Sequence, residues 1–275
     1  MFSWCHYRLK RIESKEKQIE SEIERRKTTR RKDVDELKVV EGVIDPPTMK
    51  VLYRLLNKGI LRTVHGVVNA GKEANVYRGE DAQGDSVAIK IYRVSTAESD
   101  YMLEYMVGDP RFGRIPHRSR LLIPRWALKE YKNLSLLHSA GVRVPKPIAI
   151  DRNVLVMEFI GDAKTGLPAP LLRSVKLESP ADVFNEIMWM VEQSYTKAGL
   201  VHADLSEYNI MWYNGPVMID VSQAVLKSHP NAKRYLLRDI QNITNYFVRV
   251  GVEAEDPTTI AAHILSSGEN ADAIE

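Results

Sequence analysis

Apolar and polar positions alternate differently along the chain, and the changes of pattern divide it. Over residues 1–40 apolar groups are sparse. Twelve Lys/Arg and eight Asp/Glu fall there, with no Gly or Pro between Ile12 and Lys38. Opposite charges recur at helical spacing, as where Glu16 and Glu20 face Arg and Lys neighbours, so the pattern predicts a charged helical extension over 1–42. Pro46-Pro47 breaks it. Thr48 is then the candidate cap of a short helix with Met49, Leu52, Tyr53, Leu55 and Leu56 on its apolar side and Gly59 beyond its end, an N-terminal helical element over 43–62. Over 63–160 short β-branched runs predict strands at Val67-Val68, Val76-Tyr77, Val87–Ile91 and Val154–Met157. A helix interrupts them at Trp126–Ser139, with Trp126, Tyr131, Leu134 and Leu137 on one stripe and Gly141 closing it. The stretch before it, Gly108 to Pro124, is rich in Gly, Pro and Arg and reads as a long mobile loop. Over 161–275 the pattern turns helical. Phe184, Ile187, Met188, Val191 and Tyr195 share one face, and Gly199 follows. Asn214-Gly215 predicts a hairpin turn between Ile210–Tyr213 and Val217–Ile219. A helix from Asn231 to Val250 turns Leu236, Ile240, Ile243 and Phe247 inward, and the last twenty residues are expected to fray. The sum is a strand-rich unit followed by a helix-rich unit, with Gly161–Pro170 as the hinge.

Composition narrows the class. Of 275 residues, 44% are hydrophobic and 27% charged, which suits a globular chain with a full core and excludes collagen-like, low-complexity and wholly disordered readings. No run approaches the roughly 18 apolar residues of a membrane span. Met1–Lys10 carries His, Arg and Lys too early for a signal-peptide core, so a cytoplasmic setting is expected. Cys5 stands alone, so no intrachain disulfide forms. A net charge of +3 is mildly basic and is not the footprint of a dedicated DNA binder. The patch Arg25–Lys27 and Arg30–Lys32 reads first as a hydrated helix face, and second as a docking surface for nucleic acid.

Four segments carry chemistry, and their order matters more than any one of them. In Gly66–Tyr77, two strand-like runs flank a Gly-containing turn whose backbone N–H groups can hold phosphate oxygens, with Lys72 in it. Val87-Ala88-Ile89-Lys90 matches the strand tetrapeptide that places a phosphate-binding lysine in protein kinases. Such a lysine needs a carboxylate from a nearby helix. Glu130 is the first candidate and Glu104 the second. His202-Ala203-Asp204-Leu205-Ser206-Glu207-Tyr208-Asn209 matches the kinase catalytic loop in its His, Asp, Leu and Asn, with Ala203 where Arg is usual. The spacing sets Asp204 at the nucleophile and Asn209 at a metal on the phosphate side, while His202 buttresses the loop. Val217–Ile219 then delivers Asp220, at the position that binds Mg²⁺ bridging two phosphates. An oxygen-only Asp/Asn set suits Mg²⁺ or Mn²⁺ rather than zinc. Between the units, Met157–Ile160 is the expected adenine linker, with backbone groups of Glu158 and Ile160 reading the base. No Ala-Pro-Glu follows Asp220, so the usual peptide platform is missing.

Together these residues resemble the RIO family of atypical protein kinases. The resemblance rests on Lys72-Glu73-Ala74, Ile89–Arg93, Gly108–Phe112, Lys129–Leu134, Leu155–Gly161 and His202–Asn209, and covers about 45–251. His202–Asn209 and the absence of an N-terminal winged-helix segment place it nearer the first RIO subfamily. The resemblance implies an α+β, trimmed two-lobed kinase-like fold: an antiparallel sheet plus one helix, a helical second lobe and extra N-terminal helices. It implies ATP and Mg²⁺ as cofactors, Ser/Thr autophosphorylation, ATPase activity through a phosphorylated aspartate at 220, and work on the small pre-ribosomal particle. Carried over, Lys90 contacts phosphates, Asp204 is the catalytic acid/base, and Asn209 and Asp220 hold metal. Two departures stand out: Asn69-Ala70 where the family has Ser-Thr, and Asp220-Val221-Ser222-Gln223 where it has Asp-Met-Gly-Gln. A nucleotide-switched assembly factor and a small-molecule phosphotransferase are the competing readings.

Overall fold

The computed structural model describes residues 44–93, 99–113 and 119–272. The expected charged extension over 1–42 and its basic patch lie outside them.

Helix α1 (Pro46–Asn57) opens the described chain. Its cap is Asp45, not Thr48. The Asp45 carboxylate accepts from the Thr48 backbone N–H at 2.9 Å and from its hydroxyl at 2.9 Å, while Pro46 and Pro47 fill the first turn, where a missing N–H costs nothing. Thr48 is buried inside the helix, and its hydroxyl accepts from Asn153 at 2.9 Å.

A five-stranded antiparallel sheet follows: β1 (Thr63–Ala70), β2 (Ala74–Glu80), β3 (Ser86–Tyr92), β4 (Pro147–Asp151) and β5 (Val154–Glu158), in the order β1-β2-β3-β5-β4. Central strand β3 is buried on both sides, and its period of two sorts the contacts. Val87, Ile89 and Ile91 join Val154 and Val156 under Leu52 and Leu55 of α1, while Tyr92 turns to the opposite core. A bidentate pair between Arg54 and Asp151 (2.9 and 3.0 Å) ties α1 to edge strand β4. Gly79 is needed where β2 crosses β3, because a Cβ there would sit 2.6 Å from the Ile89 side chain and 2.7 Å from the Thr63 carbonyl.

On the far face lie α2 (Ser99–Glu104) and α3 (Ser119–Ser139). The expected loop over 108–124 is therefore corrected. Helix α3 begins about two turns before Trp126 and runs through Pro124, and only 108–113 is a turn among the described residues. Trp126, Ala127, Leu134 and Leu137 bury its stripe, and Gly141 (φ +79°) ends it. Beyond Glu158 comes a small hairpin, β6 (Gly161–Asp162) with β7 (Leu167–Pro168), then α4 (Pro180–Thr196), β8 (Leu200–Val201), β9 (Ile210–Trp212), β10 (Pro216–Met218), β11 (Val225–Leu226), α5 (Ala232–Arg249) and α6 (Pro257–Asp272). Asn214 (φ +51°) and Gly215 (φ +120°) make the β9–β10 turn. The expected fraying is also corrected, since α6 packs Ala261 and Ile264 into the main core. Phe184, Ile187, Val191, Leu236, Ile240, Ile243 and Phe247 form that core, which continues across the sheet to Tyr92 and Leu155. The α+β, two-lobed kinase-like fold is what the chain adopts.

Candidate functional site

The site lies where the sheet meets the helical lobe. β3 presents Lys90 on the face away from α1, paired in register with Val76 on one side and Leu155 on the other. Its ammonium donates to Glu130 Oε1 at 2.8 Å and to Asp220 Oδ1 at 3.0 Å. Burial by itself would lower the Lys90 pKa. The Asp220 and Glu130 carboxylates outweigh that and hold it above the ordinary lysine value. Glu130 Oε2 accepts from the Tyr92 hydroxyl. Burial pushes Glu130 up to about 7, against the pull of Lys90 and with Asp220 adding to the push. Asp220 moves the other way: desolvation would raise it, but Lys90 and the Ser222 hydroxyl hold it below the usual carboxylate range. The structure thus sets Glu130 against Lys90. Glu104, the second candidate, accepts instead from the Tyr235 hydroxyl at 2.5 Å, at the start of α5.

Asp204 stands at the end of the β8 loop, partly exposed. The Asn209 amide donates to its backbone carbonyl (2.7 Å) and to its Oδ2 (3.0 Å), and Gln223 reaches the same oxygen at 3.3 Å. Burial and the nearby Asp220 raise the Asp204 pKa. With its nitrogen turned to Asp204, the Asn209 amide presents its oxygen elsewhere. Both hydrogen bonds on the Asp220 carboxylate, from Lys90 and Ser222, land on Oδ1. Asp204, Asn209 and Asp220 therefore offer oxygen donors of the kind a hard cation takes. Among the described residues, no group of three or more His, Cys, Asp or Glu could hold a metal unaided. A cation bound here would complete its shell with water or with the oxygens of a ligand such as a phosphate.

Of the residues after Asp220, Ser222 departs from the family pattern and Gln223 keeps it, and both fit this geometry. Ser222 adds a hydrogen bond to Asp220, and Gln223 one to Asp204. Glu158 and Ile160 lie on the linker as expected. The Glu158 N–H donates to the Lys146 carbonyl (2.8 Å), and the Ile160 carbonyl accepts from the Ala169 N–H (2.9 Å). Lys72 is exposed in the β1–β2 turn and is not part of the hydrogen-bonded cluster.

His202 is buried and neutral. Its Nε2–H donates to the Ile219 carbonyl (3.1 Å), and burial lowers its pKa to about 4. This carbonyl lies just before Asp220, so His202 buttresses the backbone that leads into it. Behind it is a small cavity lined by Ser194, His202, Met218 and Asp239.

Three further residues have roles that the sequence reading did not assign. Asp239 of α5, fully buried, accepts from the Ala203 N–H (2.7 Å) and the Leu205 N–H (3.0 Å), bracketing Asp204. Ala203 holds φ +65°, a left-handed conformation that those bonds and one from Arg238 to its carbonyl sustain. The available signal was an acid on an apolar stripe, between Leu236 and Ile243. Lys129 and Asn133 of α3 are also fully buried and grip the loop after Asp220, Lys129 at the carbonyls of Ser222 and Ala224, Asn133 at those of Val221 and Ala224. Their i, i+4 spacing beside Glu130 was the signal.

Comparison with known proteins places these segments. The RIO domain matches residues 75–260. The chain is 39% identical over 247 residues to the "RIO-type serine/threonine-protein kinase Rio1" of Haloferax volcanii, covering 90% of this chain and 84% of that one. It is 41% identical over 226 residues to the "Serine/threonine-protein kinase RIO1" of Homo sapiens, covering 80% of this chain and 39% of the human protein. Among solved structures, the Rio2 kinase–ADP/Mg²⁺–phosphoaspartate complex of Chaetomium thermophilum superposes with a TM-score of 0.59 at 22% identity, over 81% of this chain and 74% of that one, and supports the fold.

Proposed function

The chain belongs to the RIO family, on the side of the Rio1 proteins, and from that premise we propose that it is an ATP-dependent serine/threonine protein kinase. One observation carries the reading: Lys90, tied at once to Glu130 and Asp220, stands in a cleft that also presents Asp204 and Asn209. Lys90 contacts the phosphates, with Lys72 above them in the turn. The Glu158 carbonyl and Ile160 N–H bind the adenine edge. Asn209 and Asp220 hold Mg²⁺ or Mn²⁺, which when bound neutralises charge on the phosphates. Asp204, its pKa raised by burial and by the nearby Asp220, accepts or orients the proton of the acceptor hydroxyl.

The finer reading rests on the family resemblance. It includes autophosphorylation on Ser or Thr, ATP hydrolysis with Asp220 as the transient phosphate carrier, and action on a small-subunit pre-ribosomal particle in the cytoplasm. Asp220 Oδ2, free of the bonds that occupy Oδ1, is the oxygen suited to carry phosphate. No helix among the described residues is long and apolar enough to cross a membrane.

The test is incubation with γ-labelled ATP and Mg²⁺, followed by mass spectrometry. Label on Ser or Thr, with acid-stable phosphate, supports the kinase. Label on Asp220, sensitive to hydroxylamine, supports the hydrolytic cycle. Asp204→Ala should bind ATP yet transfer nothing. An Asp204→Ala protein as active as the parent would sink the assignment.

A further inference from the structure

The segment Gly108–Phe112 and the loop after Asp220 are far apart in sequence but share one polar network under α3. Asp109 and Asn133 are buried. Arg111 grips Asp109 with three side-chain bonds (2.9, 3.1 and 2.6 Å) and sends its remaining nitrogen to Asn133 Oδ1 at 2.9 Å. The Asn133 nitrogen donates to the carbonyls of Val221 (2.8 Å) and Ala224 (3.0 Å). This amide has only one workable orientation. Arginine only donates and carbonyls only accept, so the oxygen faces Arg111 and the nitrogen faces the loop. Lys129, one turn earlier, covers the carbonyls of Ser222 and Ala224.

The loop so held begins at Asp220, whose φ of +56° is left-handed. A non-glycine residue stays there only when its surroundings over-determine it. Lys90 and Ser222 fix its carboxylate, while the α3 side chains fix the backbone that follows.

We propose that Arg111 and Asn133 are positioning residues for Asp220, holding the 221–224 backbone in the one arrangement that presents its carboxylate to a divalent cation. The inference rests on the reading that Asp220 holds the metal of the bound nucleotide. Arg111 acts at one remove: it sets the Asn133 amide, and the amide sets the loop. The segment 108–112 thereby becomes a part of the metal site, acting through Asn133.

The test is Mn²⁺ titration in the presence of saturating ATP, followed by electron paramagnetic resonance of free Mn²⁺, alongside ATP binding in EDTA. Asn133→Asp keeps the acceptor for Arg111 but cannot donate to the carbonyls. Arg111→Lys keeps the charge but cannot span Asp109 and Asn133 together. Both should need about tenfold more Mn²⁺, the usual effect of losing a group that orients a metal ligand, with metal-free ATP affinity unchanged. A purely structural role would lower thermal stability and leave the Mn²⁺ midpoint alone, and that result overturns the inference. So does loss of folding in both variants, which would make the network a folding element first. Asp220→Asn serves as the control. If it leaves the Mn²⁺ demand unchanged, the assignment of Asp220 fails. If it raises the demand while the two variants do not, only the positioning inference fails.

Discussion

Replacing Glu130 by Gln separates stability from function in this site. Gln keeps the shape: its oxygen still accepts from Lys90 and its nitrogen can donate to the Tyr92 oxygen, so both contacts survive. Only the charge goes. In the parent, burial raises the Glu130 pKa from 4.5 to about 7, so its ionised form is disfavoured in the fold despite the 2.8 Å contact with Lys90. A rise of that size corresponds to about 3 kcal/mol against folding once the group is fully ionised. The sign follows from proton counts. Between 4.5 and 7 the folded protein holds a proton that the unfolded chain has lost, so this group's contribution to stability falls as pH rises through that window. Glu130→Gln removes that slope. Urea denaturation should find the variant as stable as the parent at about pH 5 and more stable, by up to about 3 kcal/mol, at about pH 8. Nucleotide binding should move oppositely. With a neutral amide in place of the second carboxylate, Lys90 keeps its contact but loses the charge on that acceptor, and weakening one charged hydrogen bond of about 1.5–3 kcal/mol lowers Mg·ATP affinity by up to roughly 10- to 100-fold, read by calorimetry. Equal destabilisation of the variant at both pH values, with ATP affinity unchanged, would refute this reasoning.

Three other outcomes follow from the geometry. Asp220→Asn should retain ATP binding in EDTA but lose the extra thermal stabilisation that Mg²⁺ adds, read by differential scanning fluorimetry; an unchanged Mg²⁺ increment contradicts it. His202, lowered from 6.5 to about 4 by burial, holds fewer protons folded than unfolded in that window, so it contributes about 3 kcal/mol that is present above pH 6.5 and lost as pH falls toward 4. His202→Asn should flatten that part of the stability–pH curve, and an unaltered slope excludes the assignment. Gly161→Ala should cost roughly 1–3 kcal/mol and, if residues 157–160 bind the base as proposed, weaken ATP binding, because the new Cβ meets Pro168 Cα at 2.8 Å and forces the hairpin beside that linker apart; wild-type affinity with wild-type stability would show that the hairpin yields freely.

The chemistry was legible where it is local. Lys90 sits in a strand tetrapeptide, Asp204 and Asn209 in one loop, and Asp220 at the end of a hairpin whose Asn214-Gly215 turn is itself a sequence signal. The structure brings these four together in one cleft. What stayed hidden acts across distance. Asp239 bonds to a loop 34 residues or more away, and Lys129 and Asn133 reach a loop more than 85 residues on, so local spacing marks these side chains as polar groups on buried faces without naming their partners. Elements were missed where a local signal misled. Strand β4 starts at Pro147, which reads as a break but is tolerated on an edge strand. The first turns of α3 contain Pro124, which ordinarily argues against a helix interior, yet Leu122 and Ile123 beside it are fully buried, and tertiary packing prevails over propensity there. Thr48 looked like a cap because Asp45 lies before two prolines, and those prolines occupy the helix's first turn instead of preceding it.

The most direct measurement is an anomalous difference map from a crystal grown with Mn²⁺ and a non-hydrolysable ATP analogue. A manganese peak shared by Asn209 Oδ1, an Asp220 carboxylate oxygen and the phosphates, with Lys90 on the phosphate chain, is the predicted result. Nucleotide bound elsewhere, or a metal that touches neither Asn209 nor Asp220, would contradict the account.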